Sequence, residues 1–325
     1  MSTTFLAVHP VPGEGPEDVV IAADGSVFAG LVDGQIIRRS PDGEFSTIAE
    51  LPGRPLGIEL FGDGELVVCA SDAGLLAVDI ATGNVRTLVS EVAGIPLRTC
   101  NNAAVASDGS IYFSDSSTEF VIPQWRAEMI AQTGTGRLLK RSPDGAVDVI
   151  AEGLQFANGV ALAPDESFVV VAESSTRQIQ RVWLTGPKTG TAEVWIDDLP
   201  GYPDNCSTGT DGLIWVALAN PTNRALSLVQ YLPNAARRLV SKVPEKVLPK
   251  PKSGVGFLGI NADGTVAHEE YGRVEGSSSS LAFVSAMAIC GLVRCRVQRS
   301  PTCTCSSRGV CRYRSLGGSV KSPAR

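Results

Sequence analysis

"RRSPDGEFSTIAE" (residues 38–50) returns 102 residues later as "KRSPDGAVDVIAE" (140–152). Each copy is an apolar-polar run, an Asp-Gly turn and a second run, which is the pattern of a β-hairpin. A looser form of the phrase recurs along the chain. It is found in "VVIAADGSVFAG" (19–30), "IELFGDGELVVCA" (58–70), "AVASDGSIYFSD" (104–115), "VALAPDESFVVVAE" (160–173), "STGTDGLIWVALA" (207–219) and "LGINADGTVAHEE" (258–270). The turn residues Asp24, Asp63, Asp108, Asp165, Asp211 and Asp263 are 39, 45, 57, 46 and 52 positions apart. A second hairpin follows in several units, as in "LLAVDIATGNVRTLV" (75–89). Four short strands per 40–50 residues is the size of a propeller blade. Six copies predict an all-β, six-bladed β-propeller, in preference to an antiparallel sandwich or a β-solenoid. The best helix candidate is the short stretch "PQWRAEMIAQT" (123–133).

The chain divides by composition near residue 276. The whole carries a net charge of −6, but residues 276–325 hold eight Lys or Arg and no Asp or Glu. Residues 1–275 therefore carry 20 basic and 34 acidic side chains, a net of −14. Five of the eight cysteines (Cys290, Cys295, Cys303, Cys305, Cys311) also lie in the last fifty residues. We read residues 1–276 as the propeller domain, its last blade incomplete or disrupted. Residues 277–325 read as an aberrant basic, Cys-rich tail not selected to fold, as a shifted reading frame would produce. A zinc module is disfavoured because Cys303 and Cys305 have no second pair at ligand spacing. A nucleic-acid arm is disfavoured because the basic residues are not interleaved with aromatics and the body is acidic.

The start of the chain has no basic segment leading into an apolar run, and no apolar stretch is long enough to span a bilayer. Cys69, Cys100 and Cys206 are widely spaced, as buried free thiols in a reducing compartment would be. The expectation is a cytoplasmic protein with a small-molecule substrate and neither nucleic acid nor membrane as partner.

In a propeller the inner strands surround a common axis, so residues about fifty apart can meet. One oxygen-bearing side chain precedes an inner strand in four units: Glu17 in "GPED", Asn101 in "TCNN", Asn158 in "FANG" and Asp204 in "YPDN". Carboxylates and amide carbonyls are hard ligands, suited to calcium or another hard divalent cation. Zinc or copper would call for His or thiolate, and the chain has only His9 and His268.

These phrases, with "RPLGI" (54–58), "NNAAVASDGSIYFSDSS" (101–117), "GLQFANGVALAPD" (153–165), "AESSTRQIQRVWLTGPKTG" (172–190) and "DDLPGYPDN" (197–205), resemble the strictosidine synthase-like group. That group stands in a superfamily with the paraoxonases and the gluconolactonases, six-bladed calcium-dependent propellers. The resemblance implies one calcium held by Glu17, Asn101, Asn158 and Asp204, with Asn205 close by. Glu14 is a rival for Glu17. A second, structural calcium of the paraoxonases would fall on Asp18 and Asn102, the amide replacing a usual acid. Two departures bear on activity. Leu56 stands where paraoxonase-type lactonases have a catalytic histidine, and the "EHDG"-like phrase of the last blade of plant strictosidine synthases is absent. The resemblance implies a calcium-dependent lactone or ester hydrolase. The alternatives are an amine–aldehyde condensing enzyme and a non-catalytic, ligand-binding propeller. No catalytic residue is assigned.

Overall fold

The structure, a computed structural model, describes residues 11–248 and 255–272. Its organisation begins at the Asp-Gly turns. At Asp24, Asp108, Asp144, Asp165, Asp211 and Asp263 the aspartate accepts a hydrogen bond from the backbone two residues on, as in Ser26 N to Asp24 Oδ1 (2.8 Å) and Ser110 N to Asp108 Oδ1 (2.8 Å). The glycine takes the left-handed conformation the turn demands, with φ +88° at Gly25 and +83° at Gly109.

These hairpins assemble into five four-stranded antiparallel meanders. Blade one is β1 (Val19–Ile21), β2 (Val27–Gly30), β3 (Gln35–Arg39) and β4 (Phe45–Glu50). Blade two is β5 (Pro55–Phe61), β6 (Glu65–Ala70), β7 (Gly74–Asp79) and β8 (Val85–Val89). A short hairpin, β9 (Glu91–Val92) and β10 (Ile95–Pro96), leads to blade three: β11 (Cys100–Val105), β12 (Ile111–Asp115), β13 (Gly136–Arg141) and β14 (Val147–Leu154). Blade four is β15 (Ala157–Leu162), β16 (Phe168–Glu173), β17 (Gln178–Trp183) and β18 (Ala192–Ile196). Blade five is β19 (Gly201–Thr208), β20 (Ile214–Pro221), β21 (Val255–Ile260) and β22 (Val266–Gly272).

The described residues thus form five blades, not the six expected. The turn at Asp263 joins β21 to β22, so it is the outer hairpin of blade five, equivalent to the turns at Asp42 and Asp144. The reason lies between β20 and β21. Two helices there, α2 (Arg224–Gln230) and α3 (Asn234–Val240), stretch the distance between the two hairpins of one blade to that between blades. Helix α1 (Trp125–Ala131) falls within the helix candidate read from sequence. The disruption of a last blade and the tail at 277–325 lie outside the described residues.

Apolar clusters fill the seams between successive blades. Val20, Phe28 and Ile36 meet Ile58, Leu66 and Val68 between blades one and two. Phe168, Val170 and Ala172 meet Ile214, Val216 and Leu258 between blades four and five. Both faces of a middle blade are covered, which is why "FVVVAE" in β16 is buried along its whole length and does not alternate. The first strands pack in succession, β1 on β5, β5 on β11, β11 on β15 and β15 on β19, and so line the ring axis.

Candidate functional site

The inner strand of each of blades two to five carries a β-bulge at the same place. Opposite a single residue of the neighbouring strand stand Leu56-Gly57 in β5, Asn101-Asn102 in β11, Asn158-Gly159 in β15 and Asp204-Asn205 in β19. In blade one, Glu17-Asp18 immediately precede the first paired residue, Val19. Bulges re-aim side chains and are frequent beside functional sites. Here they place Glu17, Leu56, Asn101, Asn158 and Asp204 in equivalent first positions. Four of the five are oxygen donors, and they are the four picked out from sequence.

All four are buried, with exposures of 3% for Glu17 and 2% for Asn101, Asn158 and Asp204. Asn158 Nδ2 donates to Asp204 Oδ1 at 2.6 Å. Glu17 lies close enough to Asp204 for its charge to raise the Asp204 carboxyl.

The amide orientations follow from their serine partners. Ser116 Oγ donates its proton to the carbonyl of Ala157 (2.6 Å), so it accepts from Asn101 Nδ2 (2.9 Å). Ser174 Oγ donates to the carbonyl of Pro203 (2.6 Å) and accepts from Asn158 Nδ2 (3.1 Å). Each Asn therefore turns its NH2 toward the blade and leaves its carbonyl oxygen over. Asn101 Oδ1, Asn158 Oδ1, Asp204 Oδ2 and Glu17 Oε2 are all buried without a hydrogen-bond donor. Glu17 Oε2 does meet Arg54 Nη2 at 2.5 Å, a charge contact lacking hydrogen-bond alignment.

Buried polar atoms normally have partners, and oxygens without a donor on equivalent residues are what a cation site presents. Burial pushes the Asp204 carboxyl well above the usual carboxylate range, the Glu17 charge adds to this, and the Asn158 amide opposes it. Burial also raises Glu17, against the pull of Arg54. Two carboxylates and two amide carbonyls with these atoms open fit a hard, oxygen-seeking divalent ion such as calcium. Among the described residues no group of three or more His, Cys, Asp or Glu is gathered, in keeping with a donor set half made of amides.

The remaining candidates sit differently. Glu14 is exposed, and its backbone carbonyl accepts from Val32 N (3.0 Å). Asp18 and Asn102 are joined to each other, Asn102 Nδ2 donating to Asp18 Oδ2 at 3.2 Å. Asn102 Oδ1 accepts from Val160 N (2.8 Å), and Asp18 accepts from Val19 N (2.9 Å) and Ile58 N (3.3 Å). Their oxygens already serve protein donors and tie blades one to four together. Asn205 is buried beside Asp204 in the second position of its bulge.

Asn158, Ser174 and Asp204 also form the floor of a cavity of about 140 Å³. Its walls are apolar: Trp125, Met129 and Ile130 of α1, Phe156, Tyr202, and Leu226 and Val229 of α2. Arg126, Asn220 and Asn223 add polar groups to the lining. Tyr202 Oη accepts from Asn223 N (3.1 Å), and Asn223 Oδ1 caps α2 by accepting from Ala225 N (3.0 Å) and Leu226 N (3.3 Å). Gln230 Nε2 fastens α2 to the carbonyls of Met129 (3.1 Å) and Ser175 (3.0 Å). Helix α1, within the connection between β12 and β13, covers this side of the cavity.

Sequence reading missed Ser116, Ser174 and the second helical cap. A signal for the serines was present, since "DSST" (115–118) returns as "ESST" (173–176).

A sequence model of the SMP-30/Gluconolactonase/LRE-like region matches residues 12–247. The adipocyte plasma membrane-associated protein of Rattus norvegicus is 33% identical over 237 residues, covering 67% of this chain and 62% of that protein. Protein STRICTOSIDINE SYNTHASE-LIKE 10 of Arabidopsis thaliana is 37% identical over 235 residues, covering 65% of this chain and 62% of that protein. The chain thus spans about three-fifths of these curated relatives. Among solved structures, a gluconolactonase from Xanthomonas campestris superposes with a TM-score of 0.58 at 16% identity, covering 82% of this chain and 78% of that one. Regucalcin, a calcium-binding protein from Agrobacterium tumefaciens, gives 0.56 at 18% identity, covering 80% and 75%. Among the described residues no helix is long and apolar enough to cross a membrane.

Proposed function

Because the chain belongs to the SMP-30/gluconolactonase/LRE-like family, we propose that it is a calcium-dependent hydrolase acting on a lactone or ester. The observation that carries this reading is the set of buried oxygens without a hydrogen-bond donor at Asn101, Asn158 and Asp204 on equivalent bulges, and at Glu17 just ahead of the first strand. These four residues would hold the cation. Bound there, it would supply Lewis acidity to a substrate carbonyl entering from the cavity.

The chain's own residues would do the rest. Trp125, Met129 and Phe156 would exclude water and orient the apolar part of the substrate. Asp204 is the one carboxylate lining the cavity among its described residues, and with Oδ1 held by Asn158 Nδ2 and Oδ2 given to the cation it would orient the ion toward the cavity. Among the described residues Cys69, Cys100 and Cys206 are buried and form no disulfide, which fits a reducing compartment such as the cytoplasm.

The test is metal analysis of the purified protein, with activity measured on a lactone and ester panel. Activity should vanish with chelator, return with calcium and be lost in Asp204→Ala. Activity indifferent to chelation would sink the reading. Amine–aldehyde condensation is the second reading, favoured by the 37% identity to the strictosidine synthase-like protein. Product formed from an amine and an aldehyde, without lactone turnover, would select it.

A further inference from the structure

We infer that Arg54 is an internal counter-cation of the candidate metal site, which holds Glu17 in the metal-free protein and weakens cation binding by competing for Glu17 Oε2. This rests on the reading of Glu17, Asn101, Asn158 and Asp204 as the cation's ligands.

Arg54 Nη2 stands 2.5 Å from Glu17 Oε2. The contact is not the two-pronged fork in which an Arg locks a carboxylate. Oε2 receives no aligned hydrogen bond, and Arg54 Nε is buried without a partner. A single charge contact of this kind can be exchanged. The positive charge of Arg54 also reaches Asp204, opposing the rise of its carboxyl. The guanidinium is thus in range of both acidic ligands.

The surroundings let the side chain leave while the backbone stays. Pro55 follows Arg54 and packs so closely on Gly30 that a Cβ there would lie 2.2 Å from Pro55 Cβ. The Arg54 side chain is 26% exposed against 3% for Glu17, so its route out runs toward solvent.

The charge balance makes the two cations exclusive. Glu17 and Asp204 carry two negative charges and Arg54 returns one. A divalent ion on the same carboxylate oxygen would repel the guanidinium. Two such charges about 6 Å apart at a water-like dielectric weaken binding about tenfold. In the absence of metal the same Arg spares Glu17 from being an unpaired buried charge. The arrangement would make occupancy of the site depend on the free cation concentration.

The experiment is calorimetric calcium titration of the full chain, with thermal melts in chelator and in calcium. Arg54→Met, which keeps the stem and removes the charge, should bind calcium about tenfold or more tightly. It should melt lower in chelator and gain more from calcium than the parent. Arg54→Lys should stay within about threefold of the parent affinity. If the Met variant does not fold in chelator, recovery of its cooperative melt on adding calcium supports the inference, and Arg54→Gln is titrated in its place. Equal or weaker calcium binding by the neutral variants overturns the role of Arg54 and leaves the site standing. Absence of calcium binding in every protein, the parent included, overturns the site and this inference together.

Discussion

Asp204→Asn separates a ligand from a structural residue by the sign of its effect. In the metal-free protein Asp204 is buried, its Oδ2 lacks a donor, and Glu17 repels it. The amide replacement keeps an oxygen for Asn158 Nδ2, which now donates at 2.6 Å. It removes a carboxyl whose ionised form burial and Glu17 both disfavour. Relief of one poorly satisfied polar group is worth about 1–2 kcal/mol, so melting in chelator should rise by roughly 2–8 °C at this chain length. Calcium reverses the order. One carboxylate charge at about 2.4 Å from a divalent ion, even at the dielectric of water, contributes about 3.5 kcal/mol, or a few hundredfold in affinity. At calcium one hundred times the parent Kd, the parent gains about 2.7 kcal/mol and the variant about 0.2 kcal/mol. Thermal melts of both proteins, in chelator and at that calcium concentration, read all four values. A variant that melts lower in chelator, or one that calcium stabilises as much as it does the parent, would show that Asp204 serves the fold and not the cation.

Four further outcomes follow from the same geometry. Gly159→Ala would bring a Cβ to 2.2 Å from the carbonyl oxygen of Asp204 and 2.3 Å from Cys206 N. It should cost about 3 kcal/mol or more by parting blades four and five, read from the urea midpoint. Ser174→Ala removes the partner of both Asn158 Nδ2 and the Pro203 carbonyl. It should destabilise by about 1–3 kcal/mol and loosen calcium binding in titration. Leu226→Asp places a charge in the apolar wall. It should raise KM more for lactones with longer alkyl tails, erasing a parent gain of about fourfold per methylene. Glu128 on α1 is buried and its carboxyl is raised above 4.5 by that burial. The folded state therefore keeps its proton longer than the unfolded chain, and this contribution to stability falls as pH rises from 4.5 through the raised value. Glu128→Gln lacks that titration, so its melting temperature relative to the parent should climb with pH across the window.

The hairpins were legible because an Asp-Gly turn between β-rich runs is local chemistry. Asp24 and Asp108 bond their own backbone two residues on, and Gly25 and Gly109 adopt the left-handed conformation that few other residues tolerate. Blade count was not legible from the same signal, because inner and outer hairpins use the same turn. The spacing from Asp211 to Asp263 imitates a blade only because α2 and α3 intervene. Each of those helices is seven residues long, too short for an apolar period to stand out. The ligand candidates were legible as residue types at recurring places, with the family resemblance selecting among them. The bulges that align them were not, since a two-against-one mismatch exists only once the partner strand is known. Glu14 and Glu17 looked interchangeable in sequence, and burial separates them.

The bulges also explain how neighbouring blades can keep open oxygens near the axis and still pack together. Each bulge has two residues with different duties. Second positions close the seams. Gly57 admits Asn102, whose Cα would lie 2.6 Å from an added Cβ, and Gly159 admits the backbone of Asp204 and Cys206. Asn102, in the second position of β11, reaches Asp18 of blade one and Val160 of blade four. Blade two does not need a polar first position for that closure, since it keeps its bulge and its packing with Leu56 there, whereas Asp204 Oδ1 accepts from Asn158 Nδ2 across blades four and five. A first position can therefore keep one oxygen without a donor, as at Asn101 Oδ1, Asn158 Oδ1 and Asp204 Oδ2, while Asn102 or Gly159 beside it serves the contact between blades. Asn101 Oδ1, Asn158 Oδ1 and Asp204 Oδ2 accept no hydrogen bond that holds the blades together, and a buried polar atom that the fold does not use is the kind that function retains.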